Sequence, residues 1–233
     1  MATILHYYPT VEQNGIIVPM KKTLTSRKTP TPRRTSVKQT QSSLLRALNL
    51  MFEAGTLRKT ARSHRQLLLT NDISDNISSH SYRTALIGYL LAKHEHADPY
   101  KVVIMCLIHD LGEARSGDMN WVHKKYVKTY EEEIARDQFD GLTEDNELYT
   151  VAKEYDERIS KEAILAKDAD LLELILLLKE HAQIGNKQAQ SWLNTKEQLL
   201  KIRSTTAKRL AKLTEKTEVN DWWDKVWSAE RRS

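Results

Sequence analysis

The chain has 233 residues, of which 40% are hydrophobic and 29% charged, so it can bury one good-sized core beneath a charged surface. Its longest uncharged apolar run, residues 102–108, is far shorter than the roughly 20 residues of a membrane-spanning helix. The single cysteine, Cys106, excludes an internal disulfide and favours a reducing, cytoplasmic location.

Most of the net charge of +5 belongs to the start of the chain. Residues 1–46 carry eight Lys or Arg and one acid, Glu12, whereas the remaining residues carry 28 basic and 30 acidic side chains. A basic nucleic-acid-binding face on the folded part is therefore disfavoured. Because residues 21–41 include few apolar side chains, we predict that residues 1–41 form a disordered basic leader, with an organelle-targeting or nucleic-acid-binding tail as the alternatives.

Helical signals dominate from residue 42 onward. Candidate caps precede three apolar runs, namely Ser42 or Ser43, Ser78 or Ser79, and Asp98 followed by Pro99. The first of these helices should end at Gly55, the second near residue 97 and the third near residue 112. A further helix is expected over about 160–181. From residue 188 two more are expected, the last carrying Trp222, Trp223 and Trp227. No alternating strand pattern extends beyond a few residues, so we predict an all-α fold.

The dipeptide His109-Asp110 follows a helix that is apolar on every side and should therefore be buried. An ionisable pair at the end of a buried helix is unfavourable unless it is hydrogen-bonded or coordinates a cation. A hydrogen-bonded helix end and a metal site both satisfy this requirement. The dipeptide alone does not distinguish them.

Further polar residues lie on apolar helical faces. His80 shares a stripe with Thr84, Ile87 and Leu91, and both Asp168 and Asp170 have apolar neighbours three to four residues away. Periodicity does not separate the two aspartates. His64, His123 and His181 have no partner pattern in the sequence, so no role is assigned to them.

These residues together resemble a known family. His80, His109-Asp110 and an aspartate within Lys167-Asp168-Ala169-Asp170-Leu171 resemble the HD-domain superfamily of metal phosphohydrolases. More narrowly, SSHSYR (78–83) and HDLGEARSGD (109–118) resemble its 5'-deoxynucleotidase-like branch, which has an H…HD…E…GD…Kxx(D) pattern. The resemblance covers roughly residues 44–182. It implies an HD-domain bundle of about five to seven helices over 42–185, followed by a helical extension over 186–233.

The resemblance implies a metal site. Its ligands would be His80, His109, Asp110 and, through the Lys-x-x-Asp element, Asp170 rather than Asp168. Such a mixed N/O donor set suits one divalent ion, either Mn²⁺, Co²⁺, Fe²⁺ or Mg²⁺. The ion would polarise a phosphoryl oxygen and lower the pKa of bound water.

Five further residues are expected to act on the substrate. Glu113, which shares a helical face with Asp110, would be the general acid or base, although a solvated helix-end acid is the alternative. The resemblance makes Asp118 a sugar-contacting or proton-donating acid. It places Lys124 near phosphate, and Arg65 lies 15 residues before His80, where relatives carry a phosphate-orienting arginine. Trp121 could stack on a base or belong to the core.

We therefore predict hydrolysis of a nucleoside or deoxynucleoside 5'-monophosphate by metal-activated water. One alternative is an HD-type phosphodiesterase or alarmone pyrophosphohydrolase. Another is a non-enzymatic helical scaffold whose basic tail binds nucleic acid. The expected partner is a small-molecule nucleotide, with no membrane and no nucleic acid beyond the basic tail. The tryptophan-bearing last helix suggests a homodimer.

Overall fold

A computed structural model of the chain describes residues 11–13, 16–18 and 37–226. The chain divides after Ser36 into two units. In the first unit, strands β1 (Val11–Gln13) and β2 (Ile16–Val18) pair antiparallel. These strands fall within the leader predicted to be disordered, and the rest of that leader before residue 37 lies outside the described residues. Asn-Gly, the sequence pair between the strands, is a tight-hairpin signal that the compositional argument overlooked.

The second unit confirms the all-α prediction over the residues that the structure describes. After α1 (Val37–Ala54) and a 3-10 helix (Gly55–Lys59) come α2 (Arg65–Leu68), α3 (Ile77–Glu95), α4 (Pro99–Ile108), α5 (Glu113–Ser116), α6 (Trp121–Tyr126), α7 (Glu131–Phe139), α8 (Glu147–Glu157), α9 (Lys161–Gln183), α10 (Lys187–Thr195), α11 (Glu197–Lys201), α12 (Thr205–Thr214) and α13 (Asp221–Val226). The helices are more numerous than predicted because several short ones lie in segments that have no clear apolar period.

Helices α3, α4 and α9 form the centre of the core. The predicted metal ligands lie on these helices or, for His109 and Asp110, directly after α4. Gly88 of α3 allows the close approach, because a Cβ there would lie 2.7 Å from Cys106 Sγ and 3.0 Å from Val102 Cγ1. Alanines 163, 166 and 169 of α9 are fully buried at the same core. Small side chains therefore bring the three helices close together.

Helix caps explain where the central helices begin. Asp98 Oδ1 accepts hydrogen bonds from the amides of Tyr100 and Lys101, which confirms the predicted cap. Ser160 Oγ accepts one from the amide of Ala163, at the predicted start of the helix. Helix α3 begins earlier than predicted, because Asn76 Oδ1 accepts the amide of Ser79 and takes the capping position. Helix α1 likewise starts at Val37, before the expected serine caps.

Residues 187–226, the described part of the predicted C-terminal extension, form four helices, α10 to α13, where two were predicted. A left-handed residue, Lys196 with φ 57°, separates α10 from α11, and Ser204 caps α12. Trp222 and Trp223 are 65% and 57% exposed, while Trp227 lies outside the described residues. Over the described chain, no helix combines the length and apolar character that crossing a membrane requires.

Candidate metal centre

Three helices bring the predicted ligands together. His80 lies in the first turn of α3, His109 and Asp110 follow α4, and Asp170 lies on α9. The Nε2 atom of His80 is 3.3 Å from His109 Nε2, 3.5 Å from Asp110 Oδ2 and 3.3 Å from Asp170 Oδ1. Donor atoms of His80, His109 and Asp110 all lie within 4.8 Å of one another. Asp170 meets this group through His80, and its other oxygen bonds Lys167.

The far nitrogens of both imidazoles are already occupied. His80 Nδ1 donates to Glu173 Oε2 at 2.6 Å, and His109 Nδ1 donates to the carbonyl oxygen of Cys106 at 2.8 Å. When neutral, both rings therefore direct an Nε2 lone pair into the cluster. Two lone pairs 3.3 Å apart repel each other unless a cation lies beside them, so this donor set fits a divalent metal ion.

Glu173 is a functional residue that the sequence analysis did not identify. It lies three residues after Asp170 on α9 and is 3% exposed, and Arg83 Nη2 donates to its Oε1 at 2.7 Å. The available signal was an acid interrupting a leucine-rich helix. Burial of a carboxylate there requires partners, and His80 and Arg83 provide them.

Electrostatics favour a cation at this position. Burial and the charge of Arg62 act to lower the pKa of His80, but hydrogen bonds to Asp170 and Glu173 raise it to about 9. Burial opposes ionisation of both aspartates, yet His109 holds the pKa of Asp110, and Lys167 that of Asp170, below the usual range. The carboxylates are therefore charged at neutral pH and available as oxygen ligands.

Glu113 and Asp118 are two further acids close to Asp110. Burial, together with the charges of Asp110 and Asp118, raises the pKa of Glu113 to about 9, and its Oε2 atom is buried without a hydrogen-bond partner in the part of the chain that the structure describes. Asp118 follows Gly117, whose φ of 72° turns the chain back, and its Oδ2 accepts the amide of Ser63 at 2.7 Å. Glu113 can therefore hold a proton beside the cluster.

An arginine reaches the centre, but it is Arg62. Its Nη1 lies 3.1 Å from Asp110 Oδ2 and its Nε 3.8 Å from Asp118 Oδ2. Arg65, selected by its spacing from His80, begins α2, and its Nε is buried without a hydrogen-bond partner among the described residues. Its role near phosphate stays a prediction.

A cavity of about 190 Å³ adjoins the centre and is lined by Glu113, Asp110 and Asp170. Lys124 lies on its wall together with Arg158 and Lys167. Trp121 is 72% exposed and is not among the lining residues. The cations can contact an anionic substrate in this cavity.

The family follows from comparison with known proteins. A family model described as HD domain matches residues 54–214. The chain belongs to the HD domain family. The matched region of the HD domain runs to the end of α12, past residue 185, where the sequence placed the start of an extension.

Relatives and solved structures agree with this membership. Proteins named 5'-deoxynucleotidase HDDC2 are 30% identical over 133 residues in Dictyostelium discoideum (50% of this chain, 70% of that protein) and 31% over 149 residues in Bos taurus (62% and 70%). A conserved hypothetical protein from Pyrococcus furiosus superposes with a TM-score of 0.61 at 27% identity, covering 73% of this chain and 99% of that one. A predicted metal-dependent phosphohydrolase from Magnetospirillum magnetotacticum MS-1 has a TM-score of 0.57 at 25% identity, covering 76% and 91%.

The two aspartates of α9 occupy different parts of this HD domain. Asp168 accepts the amides of Arg203 at 3.0 Å and Ser204 at 2.6 Å, and it is 1% exposed. It thereby attaches the segment before α12 to α9. Asp170 instead points to His80, so the structure separates two residues that periodicity did not.

Proposed function

We propose that this HD-family chain is a metal-dependent phosphohydrolase that releases phosphate from nucleoside or deoxynucleoside 5'-monophosphates. The observation that carries the proposal is the pair of facing imidazole Nε2 atoms, 3.3 Å apart, beside the carboxylates of Asp110 and Asp170. The relatives named 5'-deoxynucleotidase and the structure titled metal-dependent phosphohydrolase support the substrate class and the reaction class.

In this proposal His80, His109, Asp110 and Asp170 hold one divalent ion, either Mn²⁺, Co²⁺, Fe²⁺ or Mg²⁺. When bound, the ion supplies Lewis-acid polarisation of a phosphoryl oxygen and a more acidic water. Glu173 keeps the His80 ring in the tautomer that directs Nε2 inward, because its carboxylate accepts the Nδ1 proton.

The remaining residues of the centre bind substrate and move protons. Glu113 Oε2, which no described residue hydrogen-bonds, takes a proton from the attacking water or gives one to the leaving oxygen. Asp118 is held by the Ser63 amide and by Arg62, and it positions the sugar or supplies a proton. Lys124 on the cavity wall contacts the phosphate as a point charge.

The test is phosphate release from a panel of nucleoside and deoxynucleoside 5'-monophosphates with Mn²⁺, Co²⁺, Mg²⁺ or a chelator. We expect metal-dependent release that Asp110→Ala lowers at least about 100-fold, because a ligand is lost. Asp224→Ala, a change at an exposed aspartate of α13, should leave the rate unchanged. If only phosphodiesters or pyrophosphates were hydrolysed, the proposed substrate class would be wrong. If Asp110→Ala bound metal as well as the wild type, the ligand assignment would be wrong.

We further propose that the chain forms a homodimer. The support is the exposure of Trp222 and Trp223 on α13, an apolar pair left uncovered by the described residues. Light scattering should then give twice the chain mass of 27.0 kDa. A cytoplasmic location stays a prediction.

A further inference from the structure

Three consecutive residues connect the metal centre to the loop between the 3-10 helix and α3. Arg62 reaches Asp110 and Asp118 with its guanidinium, and the amide of Ser63 donates to Asp118 Oδ2 at 2.7 Å. His64 follows them in the chain, and its ring contacts neither Asp110 nor Asp118. Its Nε2 instead donates to Asp75 Oδ2 at 2.8 Å. The loop thus contacts the centre through Arg62 and Ser63 and contains one internal hydrogen bond, between His64 and Asp75.

The His64–Asp75 pair closes this loop. Both side chains are buried, with 8% and 7% exposure, so the pair is shielded from solvent. The carbonyl oxygen of Asp75 also accepts the amide of Arg62 at 3.3 Å. Beyond His64, Leu68 packs in a cluster with Leu178 and Ala189. The segment that carries Arg62 and Ser63 is therefore anchored on its far side.

We propose that His64 is a positioning residue, which holds Arg62 and Ser63 in register with Asp110 and Asp118 through its bond to Asp75. This inference rests on the proposed phosphohydrolase function. The His64 side chain acts through the backbone. His64 directly follows Ser63 in the chain, and Asp75 accepts hydrogen bonds from both the His64 ring and the Arg62 amide. No partner for His64 could be identified in the sequence, because Asp75 lies 11 residues away across the loop.

Loss of the imidazole would leave Asp75 unpaired and allow the loop to move. The buried Asp75 carboxylate would lack its only side-chain donor among the bonds of the described residues, and a buried unpaired carboxylate is strongly unfavourable. The loop would relax to hydrate it. A shift on the order of 1 Å in catalytic groups is enough to lower a rate about 100-fold. Arg62 and the Asp118 carboxylate are the groups that would shift.

The test compares His64→Ala and His64→Gln with His94→Ala, a matched change at an exposed histidine of α3. Gln places an amide nitrogen near the position of Nε2 and can still donate to Asp75. We measure kcat/KM for the panel monophosphate that the wild type hydrolyses fastest, normalised to bound Mn²⁺. We expect a fall of about 10- to 100-fold for Ala, partial recovery for Gln and no change for the control. A structural role alone would reduce the fraction of loaded protein but not the rate per bound ion.

Amide hydrogen exchange provides a readout without turnover. In His64→Ala the Ser63 amide should exchange at least about tenfold faster, because its bond to Asp118 is no longer held, while amides of α9 keep their protection. A wild-type rate per bound Mn²⁺ in His64→Ala, or unchanged Ser63 exchange, would overturn the inference. If the wild type hydrolyses no monophosphate, the proposed function fails, and Ser63 exchange in the Ala and Gln variants still decides whether His64 holds the segment.

Discussion

At the scale of single residues, we expect the hydrogen bond between His80 and Glu173 to affect how strongly the proposed centre binds metal. Replacing Glu173 with Ala removes the acceptor that holds the His80 Nδ1 proton and leaves the ring free to change tautomer. We expect the dissociation constant for Mn²⁺, measured by calorimetry, to rise about 10- to 100-fold. Glu180→Ala is the matched control, because Glu180 contacts Arg83 but not His80, and it should change the affinity little. Equal effects of both variants would contradict this assignment.

At the scale of elements, the crossing of α3 and α4 depends on Gly88. Gly88→Ala should destabilise the fold by about 1–2 kcal/mol, because a Cβ placed 2.7 Å from Cys106 Sγ overpacks the crossing by more than the gain in helix propensity. The free energy of unfolding in urea checks this. In the double variant Gly88→Ala/Cys106→Ala, the loss of unfolding free energy should be smaller than the sum of the losses in the two single variants, because the smaller side chain at 106 makes room for the Cβ at 88. Strict additivity would show that the contact is not the cause.

Helix α9 carries two aspartates for which we expect different losses. Asp168→Ala removes the acceptor of two backbone amides, so the segment around Arg203 and Ser204 should lose hydrogen-exchange protection, and stability should fall by about 1–3 kcal/mol. Metal affinity should remain near wild type. Asp170→Ala should show the reverse, with weak metal binding and a protected α12. Weakened metal binding by Asp168→Ala in the folded protein would contradict this division.

At the scale of the whole molecule, stability should depend on pH and metal together. The raised pKa of His80, about 9 against 6.5 for the free group, adds stability that is present below pH 6.5 and lost as the pH rises through 9. The pKa of Glu113 is raised from 4.5 to about 9, because the folded state binds its proton more tightly. The stability of the protein should therefore also fall as the pH rises from 4.5 to 9.

Metal-free protein should therefore unfold at a lower temperature at pH 8.5 than at pH 6.5. Mn²⁺ should reverse the trend, since metal binding needs neutral imidazoles, and at a concentration of about 100 times its dissociation constant it adds about 2.7 kcal/mol. Scanning calorimetry in chelator and in Mn²⁺ checks both statements, with Asp110→Ala as the variant that should not respond to metal. A metal-free Tm that rises between these two pH values would contradict the protonation assignments.

Much of the fold and of the centre could be predicted from local signals. Asp98-Pro99 and Ser160 mark the starts of α4 and α9 because capping depends on residues within one turn. The resemblance selected His80, His109, Asp110 and Asp170, which the structure brings together. It could not select Glu173 or Arg62, because their contacts span 93 and 48 residues of chain.

The sequence by itself determined the helical class, the family and the residues of the predicted ligand set, since apolar periodicity and a spaced motif are written in consecutive residues. Only the tertiary structure decided which arginine reaches the centre, because the contacts of Arg62 with Asp110 and Asp118 join residues 48 and 56 positions apart in the chain. It also decided that Asp168 secures α12 while Asp170 meets His80. Both decisions depend on which faces of the packed helices meet, and chain spacing alone does not encode that geometry.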